Sequence, residues 1–205
     1  MQIESCFNLV QQHLAVLEEL YRGFSDSFYN SNDVHSFNLK RTTISQLEAN
    51  SVLFETTIKY RNKLVNYQLI DTDLMPLVKK DWPQFRFNYR TKLEDSFINK
   101  LQWYLKRDQP FYVFKSFNDF FGARLVIPDF RSFEQKILDY YVAKSDNMIV
   151  RAYIRDDSPR YHGLHLYIGS GNSKFLWEFQ IWDKLDEADN LASHAIHERR
   201  KEGKG

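Results

Sequence analysis

The clearest pattern in this chain is a strict alternation over residues 176–182, which read LWEFQIW. Trp177, Phe179 and Ile181 share one parity, whereas Glu178 and Gln180 share the other. Successive side chains of a strand point to opposite faces of a sheet, so this segment predicts a strand with one buried face and one polar face. Residues 164–169, LHLYIG, alternate in the same way, with His165 on the polar side. If the two strands pair, Glu178 and His165 lie on one face of a sheet.

Helical periodicity marks the N-terminal part of the chain. Apolar residues recur from Ile3 to Tyr21 at alternating spacings of four and three, which predicts a helix with one apolar stripe. We expect this stripe to pack within the domain, although it is also a candidate surface for self-assembly or for a partner protein. Residues 23–41 are rich in Ser, Asn and Asp and predict a loop. A helix is predicted over residues 43–66, and two prolines reduce residues 67–88 to a connector with at most short helical turns.

The next predicted helix lies in the most basic region of the chain. Its buried side is expected at four-residue intervals, at Leu93, Phe97, Leu101 and Leu105. Beside it runs a polar row with the same interval, formed by Lys92, Ser96 and Lys100, so both ammonium groups point the same way. Between residues 86 and 107, six basic residues accompany two acidic ones. On spacing alone, a solvated helix face is the simpler interpretation of such a charge run.

Strand patterns dominate the second half of the chain. Residues 119–127, DFFGARLVI, predict a strand that ends at Pro128, and Asp129 is expected to cap the helix after it. A further strand is predicted over residues 148–155, ahead of the two alternating segments described above. The order of elements favours an α+β fold with a mixed or largely antiparallel sheet.

The last helix is predicted from residue 185. Its apolar side is expected to be buried through Leu185, Ala188, Leu191 or Ala192, and Ala195. Its polar stripe consists of Glu187, Asn190, His194 and His197. In domain terms, we expect an N-terminal helical segment over residues 1–83 and the functional domain over residues 84–205.

Composition narrows the class of protein. The chain has 205 residues, of which 43% are apolar and 16% aromatic, which is sufficient for a substantial core. The net charge of +1 is too small for a protein that binds polyanions with its whole surface. Any nucleic-acid contact therefore requires a local basic patch. The single cysteine, Cys6, excludes an internal disulfide and is expected to be a small packed side chain. With no apolar run of membrane-spanning length and no signal pattern, a cytosolic protein is expected.

Two carboxylates are the strongest candidates for chemistry. Asp119 stands where the basic helix gives way to a strand, and Glu178 points outward from an otherwise apolar strand. Two carboxylates in one cleft beside Lys and Arg are the equipment of Mg²⁺-dependent phosphate chemistry, because the acids hold the metal and the cations neutralise phosphate charge. The alternative is that Glu178 pairs with an arginine on a solvated sheet face. A zinc site at His194 and His197 is a weaker hypothesis, since the chain has no HExxH motif.

Several motifs, in order, resemble the RelA/SpoT-type synthetase domain found in small alarmone synthetases. The resemblance covers about residues 84–200, and singly each motif is weak. The first is the R-x-K…S…K helix, seen here as Arg90, Lys92, Ser96 and Lys100. The D-x-x-G-x-R strand corresponds to Asp119, Gly122 and Arg124. The acceptor loop, the E-x-Q strand and the helix histidine correspond to Tyr161, His165, Glu178, Gln180 and His194.

This resemblance implies a nucleotidyltransferase-like α+β fold that moves the β,γ-pyrophosphate of ATP onto a ribose 3′-hydroxyl. By resemblance, Arg90 and Arg124 sandwich the adenine, because guanidinium planes stack on π faces. Ser96 belongs to the same ATP site, and Lys92 and Lys100 contact the phosphates. The implied metal is Mg²⁺, bound by Asp119 and Glu178, and Glu178 holds the metal or accepts the hydroxyl proton.

The acceptor side is implied in the same way. Tyr161 stacks on the base of the acceptor, while His165, Gln180 and His194 support it. The hydrolase half of longer family members has no counterpart in the first 89 residues.

The departures from the family pattern concern the acceptor. Trp182 replaces the arginine that follows the E-x-Q strand, and Glu187 stands where the family has a guanine-reading asparagine. Loss of a hydrogen-bonding base reader weakens discrimination for guanine. The chain therefore resembles toxic members of the family, some of which pyrophosphorylate the 3′ CCA end of tRNA and block translation. This interpretation implies a cognate antitoxin and tRNA contacts near Lys40–Arg41, Lys79–Lys80 or residues 86–107. A (p)ppGpp or (p)ppApp synthetase acting on free nucleotides, and a catalytically inactive binding module, remain alternatives.

Overall fold

The structure is a computed structural model that describes residues 2–67, 69–81, 85–144, 148–157 and 159–201. The side chains of residues 69, 80, 81 and 197–201 are outside the description. The helices are α1 (Ile3–Tyr29), α2 (Ile44–Ala49), α3 (Ser51–Val65), α4 (Leu69–Asp81), α5 (Glu94–Leu105), α6 (Val113–Ser116), α7 (Glu134–Ala143) and α8 (Glu187–Lys201). The strands are β1 (Arg86–Thr91), β2 (Phe121–Ile127), β3 (Ile149–Asp156), β4 (His162–Ile168) and β5 (Trp177–Asp183).

The strands form one mixed sheet in the order β1-β2-β5-β4-β3. Strands β2 and β5 pair in parallel, and the other neighbours pair antiparallel. Helices flank this sheet, so the expected α+β fold with a mixed sheet is confirmed. The pairing of β4 with β5, which the sequence left open, sets Tyr167 opposite Glu178 and His165 opposite Gln180. The two polar faces therefore coincide.

The N-terminal helices complete the hydrophobic core of the sheet. The predicted α1 stripe is buried from Val10 to Tyr21 and half-buried at Ile3 and Phe7. The ring of Tyr21 meets the ring of Trp177 edge-on at 5.4 Å between centroids. Trp177 also donates its indole N–H to the hydroxyl of Tyr60 on α3, at 3.0 Å. Cys6 lies in the same core, as expected, and burial raises the pKa of its thiol to about 11. Intramolecular packing of the stripe is thus confirmed, and the division of domains at residue 83 stays a prediction.

Helix α1 is longer than the sequence pattern indicated. Residues 23–29 were expected in a loop, but they continue the helix to Tyr29. The reason is that Phe24 and Phe28 extend the apolar stripe at the same spacing and are buried. Burial of two phenylalanine rings outweighs the weak helix propensity of the Ser and Asp residues between them.

Two other N-terminal expectations were wrong in detail. The helix expected over residues 43–66 is two helices, because Asn50 leaves the helical conformation and its side chain caps the start of α3. The connector expected over residues 67–88 contains α4, with Pro76 inside it, and the beginning of β1. Interior proline costs a helix one hydrogen bond, and burial of Ile70 and Leu74 offsets this cost.

The basic helix also differs from its prediction. Arg90 lies on β1 and Lys92 between β1 and α5, so only the later residues of the motif are helical. Phe97 and Leu101 are buried as expected, whereas Leu93 and Leu105, at the two ends of the helix, are exposed. Lys100 is buried instead. The solvated-face interpretation of this charge run is therefore wrong for the lysine nearest the sheet.

Helix α8 is rotated relative to its prediction. Leu185, which precedes it, is 84% exposed, and Ala188, Leu191, Ala192 and Ala195 are exposed as well. The polar side faces the sheet: Asn190 is fully buried and bonds both the backbone N–H and the backbone C=O of His162, at 2.9 and 2.7 Å. Asp129 likewise does not cap the following helix; it adopts a left-handed conformation with φ of 60°. Polar interactions with the end of β4 decide the orientation of α8.

The extended α1 yields a test of the core. Replacing Phe24 by Ala is expected to lower the free energy of unfolding by about 3–5 kcal/mol, the usual cost of removing a buried phenylalanine ring. Ser27→Ala, at an exposed position of the same helix, is the matched control. Urea denaturation followed by circular dichroism measures both. A Phe24→Ala protein as stable as the control would show that residues 23–29 do not belong to the core.

Candidate active site

The polar face of the central strands carries the candidate site. On β5, Glu178, Gln180 and Trp182 share the parity that faces away from the core. Antiparallel pairing places Tyr167 and His165 of β4 directly opposite Glu178 and Gln180. Side chains directly opposite one another in a sheet have Cβ atoms about 5 Å apart, which is within hydrogen-bonding reach of these polar groups. Tertiary pairing thus assembles a polar cluster from two alternating segments.

Glu178 is the most heavily hydrogen-bonded member of this cluster. Its Oε1 lies 2.9 Å from Nδ1 of His165 and accepts the hydroxyl proton of Tyr167 at 2.8 Å. Its Oε2 accepts from the amide of Gln180 at 2.9 Å. Burial acts to raise the pKa of Glu178, but the hydrogen bond and charge of His165 outweigh it and lower the pKa to about 2. The carboxylate is therefore held ionised, and the expectation of a solvated Glu178–arginine pair is not met.

Asp119 lies between two buried lysines. It precedes β2, and the backbone N–H of Lys92 donates to Phe120 O at 2.8 Å, which brings the ends of β1 and β2 together. The two carboxylate oxygens of Asp119 bond Lys92 at 2.6 Å and Lys100 at 3.0 Å. Burial acts to raise the pKa of Asp119, but the two ammonium groups, Lys100 first, lower it well below its usual range. Burial lowers the pKa of Lys92, whereas Asp119 overcomes the effect of burial and raises the pKa of Lys100.

Both carboxylates open into the same cavity, of about 390 Å³. This first cavity is lined by ten of the predicted site residues, namely Arg90, Lys92, Ser96, Lys100, Asp119, Tyr161, His165, Glu178, Gln180 and His194. A second cavity of about 310 Å³ adjoins it between β1, β2 and α8, and Arg124 lines this one. Arg90, Asp119, Glu178, Gln180 and His194 line both cavities. The structure therefore brings every sequence-predicted site residue to one bipartite cleft.

Arg124 lies in the second cavity. Its guanidinium lies 3.5 Å from the centroid of the Trp182 ring and donates to Oε1 of Gln180 at 3.3 Å. Burial lowers the pKa of Arg124 to about 10. Arg90 lines the same second cavity. A planar base entering there would meet guanidinium groups from two neighbouring strands.

His194 borders both cavities from α8. Its ring stacks on Trp182 with centroids 5.6 Å apart, and its buried Nε2 has no hydrogen-bond partner among the described residues. Burial and the nearby charge of Arg124 lower the pKa of His194 to about 3. The imidazole is thus neutral at physiological pH, with one nitrogen available to a ligand.

Tyr161 is less accessible than a base-stacking role requires. The residue is 3% exposed, its hydroxyl lies 2.8 Å from Nε2 of His165, and the guanidinium of Arg155 covers its ring at 4.7 Å. Stacking of an acceptor base on Tyr161 would require Arg155 to move, so this role stays a prediction.

Sequence reasoning missed the contribution of β3 to the first cavity. Tyr153 and Arg155 line it, and the ring of Tyr153 stacks on His165 with a centroid distance of 5.3 Å and an interplanar angle of 9°. Arg151 lies over the ring of Tyr153, with its guanidinium 4.5 Å from the ring centroid. The signal was present in the sequence, because Arg151, Tyr153 and Arg155 alternate with less polar residues. A period of two in a basic and aromatic segment marks a strand whose polar face is functional.

The residues of the cleft fit Mg²⁺. Mg²⁺ prefers oxygen ligands and is held in nucleotide enzymes by one or two carboxylates together with substrate phosphates. Asp119 and Glu178 supply two carboxylates to one cavity, and they are close enough that the charge of Asp119 acts to raise the pKa of Glu178. Within the described residues no group of three or more His, Cys, Asp or Glu side chains is arranged to hold a metal by itself. The arrangement suits a metal shared with a phosphate ligand better than a closed protein site.

Two further sequence expectations can be placed. The zinc hypothesis paired His194 with His197, whose side chain lies outside the described residues. Across the part of the chain that the structure describes, no helix combines the length and apolar character that crossing a membrane demands.

Known proteins offer distant structural likenesses. Small alarmone synthetase 2 from Bacillus subtilis aligns with a TM-score of 0.42 and 20% identity, over 70% of this chain and 83% of its own. Small alarmone synthetase 1 from the same organism aligns with a TM-score of 0.43 and 17% identity, over 76% and 82%. A GTP pyrophosphokinase family protein from Streptococcus pneumoniae gives 0.37 and 17%, over 72% and 75%. No protein-family model and no curated protein sequence matches the chain. TM-scores this low carry no functional argument, so function must be argued from the geometry of the cleft.

The buried neutral state of His194 predicts a pH dependence of stability. Its folded pKa of about 3 is below its ordinary value of 6.5, so below about pH 6.5 the unfolded chain binds a proton that the folded chain does not. Between about pH 7 and about pH 5 the free energy of unfolding should therefore fall by about 2 kcal/mol more in the wild type than in His194→Gln. Urea denaturation at both pH values measures this difference. Equal losses in the two proteins would show that His194 titrates normally.

Proposed function

We propose that this chain is an ATP-dependent pyrophosphotransferase of the RelA/SpoT synthetase type. The observation that carries the proposal is the convergence of Asp119 and Glu178 on one cavity beside Lys92 and Lys100. Two separated carboxylates and two buried ammonium groups match the demands of phosphoryl-group transfer, in which catalysis consists of positioning and charge stabilisation. The adjoining cavity, lined by Arg90 and Arg124, is suited to the adenine of the donor.

The lysines would bind the donor phosphates. Lys92 and Lys100 are held at the cavity by Asp119, so a polyphosphate entering there would meet two ordered cations. Transfer forms a bond between the acceptor 3′-oxygen and the β-phosphorus and breaks the bond from that phosphorus to the oxygen that links it to the α-phosphorus. AMP leaves, and the proton of the 3′-hydroxyl is released to solvent. Mg²⁺, when bound by Asp119 and Glu178, would neutralise charge on the transferring group and activate the acceptor hydroxyl.

Glu178 is better suited to binding the metal ion than to accepting a proton. An efficient general base has a pKa near the operating pH, and the pKa of Glu178 is lowered to about 2. Its hydrogen bonds to three side chains also fix the direction of both oxygens. Of the two roles considered for Glu178, metal ligation is therefore the one that its environment favours.

The proposed acceptor is the 3′ CCA end of tRNA. Glu187, at the position of the family's guanine reader, forms an ion pair with Arg86, and Trp182 is buried under Arg124. These contacts favour an acceptor other than guanosine. The first cavity is also bordered by β3, an edge strand that presents Tyr153 between Arg151 and Arg155. An aromatic ring flanked by guanidinium groups is a typical platform for single-stranded nucleic acid.

Such an activity would block aminoacylation and stop translation. A toxin of this kind acts in the cytoplasm and requires a neutralising antitoxin, so a cognate antitoxin remains part of the proposal, as does self-assembly of the chain. Basic residues near Lys40–Arg41, Lys79–Lys80 and residues 86–107 are the proposed contacts to the tRNA backbone.

The acceptor is tested by incubating the protein with β-labelled ATP and one acceptor at a time. The acceptors are intact tRNA, tRNA lacking its terminal adenosine, GDP, GTP and ADP. We expect label on intact tRNA alone, with AMP as the second product. Label only on free nucleotides would replace the tRNA proposal by an alarmone synthetase, and no label on any acceptor would overturn pyrophosphotransfer itself.

Catalytic dependence on the two carboxylates can be measured in the same assay. Glu178→Gln and Asp119→Asn are each expected to lower kcat by about 10²–10⁴-fold, the usual range for removing a group that acts on the reacting atoms. Glu94→Gln, at an exposed carboxylate paired with Arg61, is the matched control and should retain activity. Undiminished toxicity in the Glu178→Gln protein would instead favour a non-catalytic binding module.

A further inference from the structure

Trp182 is completely buried beneath the cleft, although it lies on the polar face of β5. Glu178, Gln180 and Trp182 share one parity of that strand, so the indole points to the same side as the two polar residues. Both the edge and the face of this indole make polar contacts with residues of the cleft. A buried indole N–H needs an acceptor in any case, so what distinguishes Trp182 is where its two contacts lead.

The edge of the indole begins a directed chain of hydrogen bonds. The Trp182 Nε1–H donates to the Tyr161 hydroxyl at 3.1 Å, and an indole nitrogen can only donate. The Tyr161 hydroxyl lies 2.8 Å from Nε2 of His165, and Nδ1 of His165 lies 2.9 Å from Oε1 of Glu178. An ionised carboxylate can only accept, so in the neutral form of the His165 ring the single proton must be on Nδ1. Nε2 is then the acceptor for the Tyr161 proton, and every donor in the chain points toward Glu178.

The face of the indole begins a second chain to the other oxygen. The Arg124 guanidinium lies 3.5 Å from the ring centroid, the close contact expected of a cation–π pair. Arg124 donates to Oε1 of Gln180 at 3.3 Å, which leaves the Gln180 amide N–H to donate to Oε2 of Glu178 at 2.9 Å. The two chains therefore end on the two different oxygens of one carboxylate.

Gly163 makes this arrangement sterically feasible. It lies on β4 above the indole, and a Cβ atom at this position would come within 2.6 Å of Cδ1 of Trp182 and 3.0 Å of its Nε1. Real Cβ contacts are not this short. A side chain at residue 163 would push the indole away from Tyr161.

We infer that Trp182 is a positioning residue that orients both oxygens of Glu178, one through Tyr161 and His165 and the other through Arg124 and Gln180. The effect of Trp182 on turnover rests on the proposed function, whereas its effect on the tautomer of His165 does not. Groups that orient a metal-binding carboxylate usually affect activity by about 10–100-fold.

The first test is the tautomer of His165, measured by long-range proton–nitrogen NMR and assigned with a His165→Gln protein. We expect the wild type to carry the neutral ring proton on Nδ1. Trp182→Phe keeps an aromatic face for Arg124 but removes the N–H, and Tyr161→Phe breaks the same chain one step later. Glu178 still favours the proton on Nδ1 in both variants, but the hydroxyl that donates to Nε2 is lost or no longer held, so both should also populate the Nε2–H tautomer. A wild-type His165 with its proton on Nε2 would overturn the inference.

Trp177→Phe is the matched control for loss of a buried indole N–H. Trp177 is fully buried on the same strand and donates to the hydroxyl of Tyr60, but it lies on the opposite face of the sheet. This variant should leave the His165 tautomer and kcat unchanged, even if it lowers the thermal stability as much as Trp182→Phe does.

The second test is turnover. Trp182→Phe is expected to lower kcat by about tenfold while the KM for ATP changes by less than about twofold, since the group acts on orientation rather than on ground-state binding. A Trp182→Phe protein that matches Trp177→Phe in both tautomer and kcat would show that Trp182 only packs. If Trp182→Phe does not fold, Tyr161→Phe decides the same question. If the wild type transfers no pyrophosphate, the NMR result still decides the tautomer while the proposed function fails separately.

Discussion

The parallel pairing of β2 with β5 is the constraint on which the candidate site depends. Its register places Gly122 beside Glu178 and Arg124 beside Gln180. Asp119 lies two residues before β2, so the same pairing brings the two carboxylates to one end of the sheet, although they are 59 positions apart in the sequence. Because a shift of one residue would turn every polar side chain of β5 into the core, burial of Trp177, Phe179 and Ile181 holds the register.

Charges are balanced within the cleft, and this balance allows the ionised side chains to be buried there. Asp119 compensates two buried lysines, and Glu178 is compensated by His165, Tyr167 and Gln180. Buried charges without such partners would be strongly destabilising. An anionic phosphate ligand can share the lysines with Asp119, and a divalent cation can share the carboxylates. The cleft is therefore organised in advance for ligands of both signs, as electrostatic catalysis requires.

Particular residues show how far sequence reasoning extends. The alternation around Glu178 and His165 was sufficient to predict their common face, and the order of motifs was sufficient to name eleven residues that the structure places around the two cavities. The contribution of β3 was missed because its alternation indicates a polar strand face but not where that face lies. Only the pairing of β3 with β4 brings Tyr153 opposite His165. The exposure of Leu191 was also missed. The apolar side of α8 looked like the buried one, but Asn190 makes two backbone hydrogen bonds that satisfy the end of β4.

The amino-acid sequence alone determined the local elements with strong periodicity, the α+β class and the candidate chemistry, because side-chain spacing along a strand or helix is a local property. The tertiary structure decided which faces meet. Strand order, the rotation of α8, the continuation of α1 through Phe24 and Phe28, and the hydrogen-bond chains from Trp182 to Glu178 all depend on contacts between distant segments. Such contacts are selected by the packing and hydrogen bonding of the whole core, and no single segment contains that information.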